Sequence, residues 1–232
     1  SQTDFNGELQ GYEAALSQLL KHPKVDANRV VVYGSSMGSA IAPYLVNKFK
    51  LNGLVSDGTF YRSWFEHMLE IERRIKTMQG LKQSEINQLM NQVYIPFYYG
   101  MLIDKKSYGQ LIKENPLWAK YNYHGDNHMY GKPLSYYHQL QDFNFAGEWS
   151  KVEVPVKIRR GTNDWIMSRS DNYMIVEALK ANGNINVELK EVKGLDHWYT
   201  LHTSAKNSYG KCTQSAVIPS VLSTALSATH FS

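Results

Sequence analysis

Of 232 residues only one is a cysteine, Cys212, so no disulfide can form within the chain. No stretch approaches the roughly 18 consecutive apolar residues that a membrane-spanning helix needs, and no membrane span is expected. Basic residues never cluster beyond pairs (Arg73-Arg74, Lys105-Lys106, Arg159-Arg160), and the net charge is only +4. Nucleic-acid binding rests on a concentrated basic patch, so no nucleic-acid partner is expected either. A signal-peptide pattern is missing, but the first residues already read as mid-domain, so that absence says nothing about export or compartment. Internal repeats and low-complexity segments are absent as well.

What remains is ordinary in composition: 43% hydrophobic and 20% charged residues, in a chain long enough to bury a sizeable core. The order of apolar patterns is more specific. Phe5, Leu9, Tyr12, Leu16 and Leu19 form one face of a helix, with Asp4 as its N-cap and Pro23 as its stop. "VDANRVVVYG" reads as a turn and a short buried strand, "SMGSAIAPYLVNKF" as a helix, and "LNGLVSDG" as a second strand. After a long interval come the strand "VEVPVKIRRG", the helix "SDNYMIVEALKANG", the strand in "INVELKEVKG" and a weakly helical tail. Strands alternating with helices predict a parallel α/β sheet flanked by helices. Residues 1–57 and 151–232 are assigned to this core. Residues 58–150 are assigned to a mainly helical insertion, where 10 of the 16 tyrosines fall between Tyr61 and Tyr137.

In such a sheet, side chains at the carboxyl ends of the strands converge on one crevice. Three ends here carry suggestive residues. "GSSMG" fits G-x-S-x-G with Ser36 at the apex of a sharp strand-to-helix turn; the glycines at 34 and 38 match that register and not one centred on Ser35. Asp164 lies just beyond the next strand end in "RRGTNDW", with Asp57 and Asp171 as rivals, the latter the expected N-cap of the following helix. His197 follows the last strand in "VKGLDHWYT"; His202 is a second candidate, and the adjacent Asp196 is expected to point elsewhere. A serine hydroxyl needs a base within hydrogen-bond reach, an imidazole serves near neutral pH, and a carboxylate fixes its tautomer. The Met37 backbone N–H, at a helix start, is placed to meet a developing oxyanion.

The order Ser, Asp, His is that of α/β-hydrolase triads. On "HPKVDANRVVVYGSSMGS", "WSKVEVPVKIRRGTNDWIMS" and "VKGLDHWY" the chain resembles the α/β-hydrolase superfamily, especially its dipeptidyl-peptidase- and acylaminoacyl-peptidase-like branch. Less specifically, "HMYGKPLSYYHQLQDFNFAGEW" resembles the cap of some members. The resemblance implies an esterase or peptidase forming an acyl-enzyme on Ser36, with a small ester or peptide substrate and no cofactor. Thioesterase, lipase-like enzyme and catalytically inactive binding module are the alternatives. It also implies eight strands, of which this chain supplies the last four. The expectation is therefore a partial fold, the carboxyl-terminal part of a longer protein and a weak catalyst alone, whose partners include its own missing upstream strands. Losing one oxyanion donor costs about 2.7–4 kcal/mol.

Three side features complete the reading. Lys157, Arg159 and Arg160 suggest either a strand near the sheet edge with solvated charges or, at Arg160, a contact to an anionic substrate group. Trp64, Met68, Ile71, Ile75 and Met78 form a helical stripe that suits packed core, with Trp64 as a candidate substrate wall. His124, Asp126 and His128 lack a familiar zinc spacing and a fourth ligand, so no metal is expected. Oligomeric state is not readable.

Overall fold

The computed structural model describes residues 3–122 and 128–210. In chain order its helices are α1 (Phe5–Leu20), α2 (Met37–Phe49), α3 (Trp64–Met78), α4 (Gln83–Leu89), α5 (Ile95–Tyr98), α6 (Tyr108–Glu114), α7 (Leu134–Asp142), α8 (Phe145–Ser150), α9 (Arg169–Ala181) and α10 (Ala205–Gly210). The strands are β1 (Val31–Ser35), β2 (Gly53–Asp57), β3 (His128–Met129), β4 (Lys132–Pro133), β5 (Val156–Gly161) and β6 (Val187–Val192). They divide into two compact units. One holds the described residues of 1–19 with 63–144; the other holds 20–62 with the described residues from 145 onward.

The second unit is built on a four-stranded parallel sheet in the order β1-β2-β5-β6. Helix α2 packs on β1 and β2, α9 packs on β5 and β6, and α8 touches both helices. Strand β2, paired with a neighbour on each side, is buried along its whole length. Edge strand β6 alternates half-buried and exposed positions in its first four residues. Register aligns Ser35, Asp57 and Arg159 across three neighbouring strands. That alignment brings the ends of β1 and β2 level at one rim, with β5 running two residues further to Gly161.

Here the charged strand differs from its expectation. Strand β5 is internal, and Arg159 and Arg160 are buried. Neighbouring strands supply the countercharges: Arg159 pairs with Asp57 of β2, and Arg160 Nη1 lies 3.2 Å from Glu191 Oε1 of β6. A buried charge is tolerated only when paired, and both are.

The first unit is helical apart from the short antiparallel β3–β4 pair. Helix α1, expected with the sheet, groups here instead. Phe5 meets Tyr136 and Phe143 edge-on at 5.6 and 5.4 Å, and Glu8 pairs with Lys132. Asp4 does cap it, accepting from the Gly7 N–H at 2.7 Å. Helix α3 starts with a reciprocal Ser63–Glu66 capping box. Along its stripe Trp64, Met68, Ile71 and Ile75 are buried, whereas Met78 is half-exposed. Helices α4 and α5 run on through two π-helical turns, Met90–Tyr94 and Tyr99–Ile103. Pro96 has no N–H to offer the Gln92 carbonyl one turn back, and the Trp118 indole N–H donates to it at 3.3 Å instead. Of the excluded metal trio, His124 and Asp126 lie outside the described residues, as do Cys212 and the tail expected to be helical.

Candidate active site

The turn between β1 and α2 is tight for a steric reason. A Cβ on Gly34 would fall 2.5 Å from the Gly38 carbonyl oxygen and 2.7 Å from Ser39 Cα. Only glycine there lets the strand end lie against the first turn of α2. Ser36 sits between them at φ 54°, ψ −125°, a conformation side chains rarely adopt. Such strain persists only where the surroundings enforce it. Here the Ser36 N–H donates to the Asp57 carbonyl at 3.0 Å, and its own carbonyl accepts from the Ser39 hydroxyl. The Ser39 hydroxyl also reaches the Gly58 carbonyl at 3.1 Å. Met37 opens α2, so its amide lies at the positive end of the helix dipole.

His197 brings the strand ends together. Its Nε2 lies 3.0 Å from Ser36 Oγ and its Nδ1 3.0 Å from Asp164 Oδ2. With a carboxylate on Nδ1, that nitrogen carries the proton and donates, leaving Nε2 to accept from the serine hydroxyl. Asp164 is held in turn: its Oδ1 accepts from the N–H groups of Ile166 (2.9 Å) and Met167 (2.8 Å). Burial works against charge on both partners, yet each favours the other's charged form. Burial is outweighed at Asp164 by the His197 charge and hydrogen bond, by the Met167 N–H and by Arg160, so its pKa lies below the ordinary carboxylate value. At His197 burial is again outweighed, here by Asp164 and then by the Asp196 charge, and the imidazole is raised above its ordinary value.

The rival residues are engaged elsewhere. The Ser35 hydroxyl bonds the Tyr199 phenol. Asp57 pairs with Arg159 and accepts from the Tyr33 hydroxyl at 3.2 Å. Asp171 is not the N-cap of α9, a position held by Ser168; it lies in the first turn and accepts from Arg62 Nε at 2.7 Å. His202 Nε2 lies 3.0 Å from Asp196 Oδ2. The two substrate-binding candidates have partners too. Arg160 Nη2 donates to the Asp164 backbone carbonyl at 3.1 Å while Nη1 holds Glu191. The Trp64 indole stacks on Tyr137 at 5.4 Å, and its Nε1 lies 3.3 Å from Met129 Sδ. Sequence reasoning missed Gly58. At φ 57° it sits so close to the acid–base pair that a Cβ would lie 3.2 Å from His197 Nδ1 and 3.3 Å from Asp164 Oδ2. The only signal was its place directly after a buried strand. Among the described residues no group of three or more histidine, cysteine or acidic side chains could hold a metal ion, and no helix is long and apolar enough to cross a membrane.

No family model matches the chain, and no curated protein matches it. Solved structures do. A lipase in its open form is similar with TM-score 0.53 and 18% identity, over 97% of this chain and 73% of the lipase. An esterase from Pyrococcus furiosus gives TM-score 0.52 and 14% identity, over 98% of this chain and 62% of the esterase. An acylaminoacyl peptidase from Pyrococcus horikoshii gives 0.45 and 16%, with 82% of this chain and 24% of that one covered. The chain thus spans less than two thirds of the esterase and about a quarter of the peptidase. The fold is that of the α/β-hydrolases.

Proposed function

We propose that this chain carries the site of a serine hydrolase that cleaves ester or amide bonds through an acyl-enzyme on Ser36. One observation carries the reading: a single imidazole, His197, lies 3.0 Å both from a serine hydroxyl on a strained turn and from a buried carboxylate. Ser36 Oγ attacks the substrate carbonyl carbon while Nε2 of His197 takes its proton. Asp164 keeps Nδ1 protonated and stabilises the imidazolium. The oxyanion accepts from the Met37 N–H. His197 then returns its proton to the departing alcohol or amine, leaving an ester on Ser36, and water activated by the same nitrogen releases the acid. Arg160, read from sequence as a substrate contact, serves in this scheme to hold the Asp164 loop by its carbonyl.

A fluorophosphonate probe tests the reading, because it phosphonylates only an activated serine. Labelling of the wild-type chain that disappears in Ser36→Ala is the expected result. Absent labelling refutes the mechanism and favours a hydrolase fold used only for binding; labelling that persists undiminished in the variant refutes Ser36 as the nucleophile.

A further inference from the structure

The two loops that supply the acid and the base are joined by something other than the acid–base contact. Asn163, the residue before Asp164, donates from its side-chain Nδ2 to the Gly194 carbonyl at 3.1 Å and to the His202 carbonyl at 2.6 Å. Its backbone N–H donates to the Leu195 carbonyl at 2.9 Å. Gly194, Leu195 and His202 flank the turn bearing His197 on both sides, and the His202 N–H closes that turn onto the Gly194 carbonyl at 2.8 Å. Within the turn, the buried Asp196 carboxylate gathers four donors: the N–H groups of Trp198 and Thr200 at 2.9 Å each, the Ser208 hydroxyl at 2.7 Å and His202 Nε2 at 3.0 Å. The base therefore rides on a rigid turn, and one amide clamps that turn to the acid's loop.

Resting on the hydrolase reading above, we propose that Asn163 is a positioning residue, whose side-chain amide sets the separation between Asp164 and His197 by tying together the two loops that carry them. A hydrogen bond alone is a soft restraint on two loop tips, each with its own freedom. Two further bonds from an amide one residue away restrict those tips to the in-line geometry, and an ångström of misplacement can cost about 10²-fold in rate.

Asn163 carries no charge, so its replacement changes the electrostatics of the site only by moving groups. The charged and titratable groups around His197 are Asp164, Asp196 and, behind Asp164, Arg160 with Glu191. All remain in Asn163→Ala. The experiment compares this variant with the wild-type 232-residue chain in fluorophosphonate labelling across pH and in the downfield proton spectrum, where an Nδ1–H held against a carboxylate gives a resolved line. The expected result is labelling slowed roughly tenfold, a pH midpoint displaced downward as Asp164 loosens its hold on the imidazolium, and a lost or broadened line. A folded Asn163→Ala with unchanged midpoint, rate and line overturns the proposal, whatever its melting temperature, because a merely structural residue alters only the last. If Asn163→Ala does not fold, Asn163→Ser decides with the same readouts, smaller changes supporting the proposal and no change overturning it. Should the wild-type chain show no Ser36-dependent labelling, the hydrolase reading fails while the line still judges the clamp. Its presence in wild type and loss in the variant support the clamp; its persistence in the variant, or its absence from wild type, overturns it.

Discussion

Two aspartate–histidine pairs lie within a few residues of each other at the end of the sheet, and their local chemistry is nearly identical. Asp164 faces His197 at 3.0 Å and Asp196 faces His202 at 3.0 Å. Each carboxylate is buried, and each accepts two backbone N–H groups from the residues that follow it. The difference lies on the far side of the ring. His197 presents its other nitrogen to Ser36 on the strained turn, whereas His202 presents its own to the side chain of Asn207. On the proposed mechanism, pairing a carboxylate with an imidazole is therefore not enough to make a reactive site. The third group decides, and in the second pair the same bonds serve only to close a turn.

The largest effect that could break this contrast is expected at Asp164. Asp164→Asn keeps the shape but not the charge, and removing that role from a triad lowers turnover by about 10⁴. A pH effect accompanies it. The proposed mechanism needs the neutral imidazole, so labelling is expected to fade as pH falls through the His197 pKa, which lies above the ordinary histidine value of about 6.5. Removing the charge that holds it up moves the midpoint to lower pH. Labelling rates measured across pH check both expectations; a midpoint that moves upward would mean that Asp164 does not face the charged ring in solution.

How much of this was legible depends on whether the constraint is local. Ser36, Asp164 and His197 stand at strand ends that the apolar runs already delimit, and the turn around Ser36 announces itself through two glycines. The β5 arginines read as solvated, or at Arg160 as a substrate contact, because periodicity cannot see the strands beside them; Asp57 and Glu191 become their partners only once the strand order is known. Helix α1 failed for a similar reason. Its apolar face is explicit, but nothing in an amphipathic pattern says which surface it covers, and Phe5 covers itself with Tyr136 and Phe143. Asn163 and Gly58 were invisible because one acts through carbonyls of a distant loop and the other through an atom it lacks.

Gly58 sharpens the comparison at intermediate size, since it abuts the first pair. A Cβ there would meet His197 Nδ1 at 3.2 Å, and the positive φ of 57° itself costs a non-glycine residue about 1–2 kcal/mol. Gly58→Ala is expected to slow labelling roughly tenfold, by prising the imidazole from its in-line position. A loss of stability of about 1–2 kcal/mol, read by denaturant titration, should accompany it. Stability lost with no change in labelling would show that the ring has room to give.

The smallest effect is expected in the second pair. His202→Leu removes one of four donors to the Asp196 carboxylate, a hydrogen bond to a charged group with a net contribution of about 1.5–3 kcal/mol. Two backbone N–H groups and the Ser208 hydroxyl still hold that carboxylate, and the amide that ties the two loops bonds the His202 backbone carbonyl, which the substitution keeps. A fall in melting temperature of several degrees, with labelling within about twofold of wild type, is therefore expected. Melting curves and labelling rates on the same preparation separate the two quantities. If His202→Leu instead slows labelling as severely as Asp164→Asn, the second imidazole is no turn-closing residue, and the distinction drawn from the partner of the far ring nitrogen fails with it.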